Sequence, residues 1–73
     1  MTKDKKNKID EIVIDTSSSI LSALKRMDKT YKRLLLVFDK KDFINVLSIG
    51  DIQRAIIRNQ SLETSVKDIL RKE

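Results

Sequence analysis

Apolar positions near the start of the chain change from a short run to a helical spacing. Ile12–Ile14 is a β-branched run, which predicts a strand. Asp15–Ser19 is rich in residue types that cap helices. The apolar stripe that follows has spacings of three and four, and comprises Ile20, Leu21, Ala23, Leu24 and Met27. Such a stripe places one face of a helix against a core.

The middle of the chain carries two apolar runs with a polar link. Leu34–Phe38 is continuous and of strand length, which is typical of a strand buried on both faces. Asp39–Asp42 is polar, and Phe43–Leu47 is apolar again. We predict a β-hairpin. The link contains no glycine, which argues against a two-residue type I′ turn.

Helical spacing returns after Gly50, with Ile52, Ala55 and Ile56 on one face. Thr64 or Ser65 is expected to cap a last short helix containing Val66, Ile69 and Leu70. The predicted order is β-α-β-β-α, an α+β fold with a small sheet against two helices and a C-terminal linker helix. Residues 1–8 are predicted to be a disordered basic leader, and residues 9–73 a single motif.

Composition excludes several classes of function. The 73 residues contain neither Cys nor His, which excludes disulfides, zinc fingers and His-dependent catalytic triads. A single glycine excludes Gly-rich phosphate loops. The longest apolar run, Leu34–Phe38, is far short of the roughly 20 residues of a membrane span. We expect a cytoplasmic, non-catalytic domain that requires no cofactor and does not interact with membranes.

The size and charge of the chain bear on its partners. A chain near 60 residues buries only about 60% of its unfolded surface, so self-association or a second half is expected. The net charge is +5, of which residues 1–8 supply +3. A basic cluster comprises Lys25, Arg26, Lys29, Lys32 and Arg33. It is compatible with nucleic-acid binding, although a solvated helix face is the favoured interpretation.

Three stretches resemble one cystathionine β-synthase (CBS) motif. IDTSSSILSAL at Ile14–Leu24 is similar to the family's strand, polar cap and helix start, and LLLVFD at Leu34–Asp39 to its second strand. VLSIGDIQRA at Val46–Ala55 is similar to the signature G-hh-T-x-x-D-h-x-x-A, in which h is apolar. The Gly-Asp-Ile-x-Arg-Ala form resembles the variant that precedes sugar-phosphate nucleotidyltransferase domains. The resemblance covers Ile9 to about Leu70.

Three positions depart from the family pattern. Asn45 stands where a glycine usually precedes the last strand, which bears on the turn geometry. Ser48 replaces the threonine and keeps the hydroxyl. Ile49 replaces an aspartate of the nucleotidyltransferase-associated variant. The lost charge suggests a different ligand.

The resemblance implies a regulatory module. CBS motifs pair into a Bateman module, whose cleft commonly holds an adenine nucleotide such as AMP, ADP or ATP. This motif would pair with a second copy or with a second motif, and a twofold homodimer is the simplest closed arrangement. The resemblance also implies an attached nucleotidyltransferase domain in the parent protein.

The implied ligand-binding residues are Ser48, Ile49, Gly50, Asp51, Ile14 and Arg54. A helix N-terminus favours phosphate, to which the Ser48 hydroxyl can donate, and the carboxylate of Asp51 can accept both hydroxyls of a ribose. The backbone around Ile14 and the side chain of Ile49 would face the base, and Arg54 would approach a phosphate. The same Ser-x-x-Asp spacing is also that of an ordinary helix cap.

Three functional hypotheses remain open on the sequence. The favoured one is a nucleotide-sensing CBS motif. The second is an oligomerisation module that has lost ligand binding, to which Asn45 and Ile49 point. The third is a small basic nucleic-acid-binding domain, which the sequence favours least because only 4% of the residues are aromatic.

Overall fold

A computed structural model of the chain describes residues 10–71. The predicted leader, residues 1–8, lies outside the described residues. In chain order the elements are β1 (Val13–Asp15), α1 (Ile20–Thr30), β2 (Leu34–Asp39), β3 (Asp42–Ser48), α2 (Ile49–Ile57) and a 3-10 helix (Val66–Asp68). The predicted β-α-β-β-α order and the α+β class are confirmed.

The three strands form one sheet in the order β1-β2-β3. β1 pairs with β2 in parallel, through the α1 crossover, and β2 pairs with β3 antiparallel. The β2–β3 register shifts between Val37 and Phe38, because Val37 lies opposite Asn45 whereas Phe38 lies opposite Phe43. Ile44 is therefore the extra residue of a β-bulge.

The core lies between one face of the sheet and the helices. The sheet contributes Ile14, Leu35, Val37 and Leu47, which are buried because alternate residues of a strand share a face. The helices and the C-terminal segment contribute Ile20, Ala23, Met27, Ile52, Ala55 and Val66. The apolar stripes predicted for both helices thus face this core, except for Leu21 and Ile56, which are exposed.

The opposite face of the sheet is also apolar, and it is not fully covered. It carries Val13, Leu34, Leu36, Phe38, Phe43 and Val46. The Phe43 residue is 53% exposed, and its ring packs edge-on against Phe38 with 5.6 Å between centroids. The prediction of a β2 strand buried on both faces is met on one face only within residues 10–71. We call this surface the outer sheet face.

The β2–β3 hairpin closes through a two-residue turn, Lys40-Lys41, between the paired residues Asp39 and Asp42. Lys40 has a φ of 61°, whereas Lys41 has no positive φ. A type I′ turn requires a positive φ at both positions. The turn is therefore not of the type that the glycine-free sequence argued against.

The C-terminal segment differs from its prediction. The structure has a single 3-10 turn at Val66–Asp68 in place of the linker helix. The preceding residue, Ser65, is extended and forms a bridge with Ser19. The N–H groups of Val66 and Lys67 donate to Ser18 (2.8 Å) and Thr16 (3.2 Å). This pairing with the loop before α1 supplies hydrogen bonds that compete with a continuous helix.

Candidate functional site

The N-terminus of α2 brings Ser48 and Asp51 together. Ser48 ends β3 in an extended conformation, and its Oγ accepts a hydrogen bond from the N–H of Asp51 (3.2 Å). The Oδ2 of Asp51 accepts from the N–H of Ser48 (2.9 Å). The two residues therefore form a capping box, in which two otherwise unpaired donors of the helix start are satisfied reciprocally. The predicted cap is confirmed.

The carboxylate of Asp51 is buried and has further partners. Its side chain is 2% exposed. Its Oδ1 accepts from the guanidinium of Arg54 and from the Nε of Arg71 (3.1 Å). Burial on its own would raise the pKa of Asp51, but the hydrogen bonds from Ser48 and Arg71 and the charge of Arg71 hold it below its ordinary value. Asp51 is therefore a stable anion at neutral pH.

Gly50 occupies the centre of the same helix start. None of the hydrogen bonds within residues 10–71 uses its N–H, in contrast to the N–H groups of Ile49 and Asp51. A Cβ at Gly50 would lie 3.6 Å from Ser48 Oγ and 3.8 Å from Arg54 Nη1. The backbone at Gly50 therefore lies between a hydroxyl and a guanidinium, two donors suited to an anion.

Two cavities meet at Asp51. The first, of about 200 Å³, is lined by Asn45, Val46, Ser48, Asp51 and Arg71. The second, of about 130 Å³, extends along α2 and is lined by residues that include Asp51, Arg54, Arg58 and Gln60. Ser48, Gly50, Asp51 and Arg54 thus lie together, as the sequence predicts. Their binding role stays a prediction.

The structure does not bring Ile14 and Ile49 to this place. Ile14 is buried in the core and pairs with Val37, whose other neighbour is Asn45. With strands about 4.8 Å apart, Ile14 lies roughly 10 Å across the sheet from β3. Ile49 lines a separate cavity with Leu24 and Met27. Their role toward a base also stays a prediction.

Two polar residues that line the 200 Å³ cavity were not among the predicted site residues. Arg71 reaches Asp51 with its side chain, and its carbonyl accepts from Asn45 Nδ2 (3.2 Å). No periodicity or spacing marks Arg71, because its contacts depend on the path of the C-terminal segment. Asn45 was noted for its effect on a turn, yet it lies inside β3 with no positive φ. A glycine is therefore not required there.

Residues 10–71 contain neither a candidate metal centre nor a candidate membrane span. Within residues 10–71, no group of three or more acidic side chains could hold a metal ion. Among the helices in that range, none has the length and apolar character needed to cross a bilayer.

Comparison with known proteins gives the family. The CBS domain family model matches residues 1–58, most of the chain. The chain therefore belongs to the CBS domain family, as the three sequence stretches indicated. No curated protein matches it.

Solved structures agree on the fold. The chain is similar to a cystathionine β-synthase domain protein fused to a Zn-ribbon-like domain, with a TM-score of 0.77 and 17% identity over 85% of this chain and 91% of the other. It is also similar to a CBS domain protein from Pyrobaculum aerophilum complexed with AMP, with a TM-score of 0.74 and 18% identity over 80% of this chain and 47% of the other. For Staphylococcus aureus OpuCA the TM-score is 0.69 and the identity is 21%, over 85% of this chain and 51% of the other. The chain thus spans about half the length of the last two proteins.

Proposed function

We propose that residues 9–73 form a single regulatory CBS motif, which senses an adenine nucleotide and catalyses no reaction. One observation carries the proposal. The hydroxyl of Ser48, the carboxylate of Asp51 and the N–H of Gly50, which has no partner within residues 10–71, converge at one helix start beside a cavity. A similar fold in the Pyrobaculum aerophilum protein is complexed with AMP, which supports AMP, ADP or ATP as the ligand class.

Each group at the helix start suits one part of a nucleotide. The Ser48 hydroxyl and the Gly50 N–H can donate to phosphate oxygens, and the helix dipole favours that negative charge. The carboxylate of Asp51 can accept the two ribose hydroxyls. Arg54, one turn later on α2, adds a positive charge within reach of a phosphate. Ile14 and Ile49 remain predictions for the part of the site that faces the base.

The outer sheet face supports pairing with a second motif. A sheet that is apolar on both faces needs a layer on each side, and residues 10–71 supply one layer only. A second copy related by a twofold axis, or a second CBS motif, would cover the other side.

Further elements of the proposal rest on the sequence. The Gly50-Asp51-Ile52 signature supports an attached nucleotidyltransferase domain in the parent protein. We place the protein in the cytoplasm, without a membrane or nucleic-acid partner. The guanidinium of Arg26, in the basic cluster, donates to the carbonyls of Glu11 and Val13 (3.1 Å each), so its charge is used within the fold.

The test is a titration of the whole chain with AMP, ADP and ATP, in which calorimetry measures the affinity and thermal unfolding measures the stability. A nucleotide at about 100 times its Kd should stabilise the chain by roughly 2.7 kcal/mol. Ser48→Ala should weaken binding about tenfold, in line with loss of one hydrogen bond to a charged group. Ser19→Ala is the matched control, because it removes the capping serine of the other helix. Equal binding by wild type and Ser48→Ala would refute the proposed site.

The second candidate is an oligomerisation module without ligand binding, which the engagement of Asp51 by two arginines favours. Both candidates require association through the outer sheet face. Phe43→Lys should therefore shift the chain from dimer to monomer in sedimentation, whereas Ile57→Lys on exposed α2 should not. Dimers that do not respond to any nucleotide would select the second candidate.

A further inference from the structure

The hydrogen bonds of Asp51 leave little capacity for a ligand. An ionised carboxylate offers about four acceptor positions. Ser48 N–H uses one on Oδ2, and Arg54 and Arg71 use two on Oδ1. About one position is left, whereas a vicinal diol such as a ribose needs two. With 2% of the side chain exposed, the diol also has no access to Oδ1 while both arginines are bound.

One of the two arginines must therefore leave before a ribose can bind. Arg54 belongs to α2 and stays within one turn of Asp51 whatever its rotamer. Arg71 follows the 3-10 helix, its side chain is 65% exposed, and its described hydrogen bonds are those to Asp51 and Asn45. Because the Arg71 side chain is the more exposed of the two (65% against 48%) and lies outside α2, Arg71 is the partner that a ligand can displace at the lower cost.

We propose that Arg71 is an internal competitor for the ribose position, so that nucleotide binding and docking of the C-terminal segment exclude each other. This proposal rests on the function proposed above. Arg71 also forms a wall of the 200 Å³ cavity with Ser48 and Val46, so its departure enlarges the cavity at the same step. The docked segment lowers the affinity for a ligand that requires the open state. By thermodynamic linkage, the ligand destabilises the docked position of the segment by the same free energy.

If nucleotide binding and docking of the C-terminal segment exclude each other, the position of the segment depends on whether the site is occupied. The docked segment is held by Arg71 at one end and by the hydrogen bonds of Val66 and Lys67 at the other. Release of Arg71 removes one of the contacts that hold Ile69 and Leu70 against the core, while Val66 stays buried. Occupancy of the site would therefore be reported as a change in the position of residues 69–71.

The test compares AMP binding by wild type, Arg71→Met and Lys67→Met, each as the whole chain. Lys67→Met removes the same charge from the same segment without touching Asp51. Removing the competitor should tighten AMP binding about threefold to tenfold in Arg71→Met and leave it unchanged in Lys67→Met. AMP should also speed amide exchange at Ile69 in wild type, and not in Arg71→Met.

The outcomes separate the two proposals. Tighter binding by Arg71→Met, or binding by that variant alone, supports the competitor. Equal binding by all three chains overturns the competitor and leaves the nucleotide site standing. Weaker binding by Arg71→Met also overturns it, since Arg71 would then contact AMP. If none of the chains binds AMP, the proposed function fails and the competitor fails with it.

Discussion

The two helices of this CBS motif both begin at a capping serine, yet their first turns are satisfied differently. In α1, the N–H groups of Ile20 and Leu21 donate to the backbone carbonyls of Thr64 and Leu62 (2.9 Å each). The next N–H, of Ser22, donates to Ser19 Oγ (3.0 Å). Neighbouring backbone therefore closes the start of α1.

At the start of α2, one N–H of the described residues donates to neighbouring backbone, namely that of Ile49 to the carbonyl of Arg33 (2.8 Å). Asp51 closes the capping box with Ser48, two arginines bind its carboxylate, and the N–H of Gly50 has no partner within residues 10–71. Side chains can rotate away from a helix start at small cost, whereas a paired backbone segment cannot. This difference is why we regard the start of α2, with its Ser-x-x-Asp spacing, as the candidate site, and the serine-rich start of α1 as purely structural.

The largest expected effect is that of Asp51→Ala. It removes the cap of one N–H and the acceptor of two guanidinium groups, so we expect a loss of about 2–3 kcal/mol in unfolding free energy. Chemical denaturation measures it. Asp68→Ala, an exposed acidic residue beside the same cavity, should cost no more than about 0.5 kcal/mol. Similar losses in both variants would show that the Asp51 contacts contribute no more than an ordinary surface charge.

The pH dependence of the unfolding free energy gives an independent check on the contribution of Asp51. The pKa of Asp51 is lowered in the folded chain, so its contribution is full at neutral pH and is lost as pH falls below about 4. The free-energy difference between wild type and Asp51→Asn should therefore shrink on acidification. Asp15, whose pKa the Ser17 hydroxyl and N–H lower, titrates in the same range. The variant Asp15→Asn separates the two contributions.

An intermediate effect is expected when each capping serine is removed. Ser48→Ala should cost about 1 kcal/mol, within the usual range for an N-cap. Ser19→Ala should cost about 0.5 kcal/mol, the low end of that range, because backbone carbonyls still hold the first two N–H groups of α1. Thermal unfolding of the two variants compares them. A larger loss of stability for Ser19→Ala than for Ser48→Ala would contradict the conclusion that neighbouring backbone satisfies the start of α1 more completely than the start of α2.

The smallest effect concerns Gly50→Ala, which should separate stability from binding. Gly50 has no positive φ and the added methyl meets only ordinary contacts, so the variant should gain about 0.5 kcal/mol in stability. The methyl would lie between Ser48 Oγ and Arg54, where the phosphate is proposed, and AMP affinity should fall. Unchanged affinity in a stabilised variant would place the phosphate elsewhere.

Apolar periodicity predicted the helices and strands whose formation depends on residues close together in the sequence. The apolar runs at Leu34–Phe38 and Phe43–Leu47 and the helical stripes specified the strands and helices, and Ser48 with Asp51 specified the cap. It failed where tertiary contacts decide. Val66, Ile69 and Leu70 have helical spacing, yet backbone pairing with Ser18 limits them to a single turn.

The candidate site was predictable to the extent that its residues are close in sequence. Ser48, Gly50, Asp51 and Arg54 lie within two turns of one helix start, so their spacing brings them together. Arg71 is 20 positions beyond Asp51, and its arrival depends on the path of the intervening segment. Ile14 could not be placed relative to the site from the sequence, because the strand order decides the width of the sheet between them.

The bulge at Ile44 has a consequence for how copies of this chain meet. Leu36 directs its N–H toward β1, where Ile12 accepts it (2.7 Å), so Val46 opposite directs its own N–H away from the sheet. Asn45 Oδ1 takes that N–H at 2.7 Å. An open strand edge is a template for aggregation, and a bulge with a side-chain plug blunts it. An edge blunted in this way disfavours edge-to-edge fibre growth and leaves the outer sheet face as the surface on which we propose that a second motif stacks.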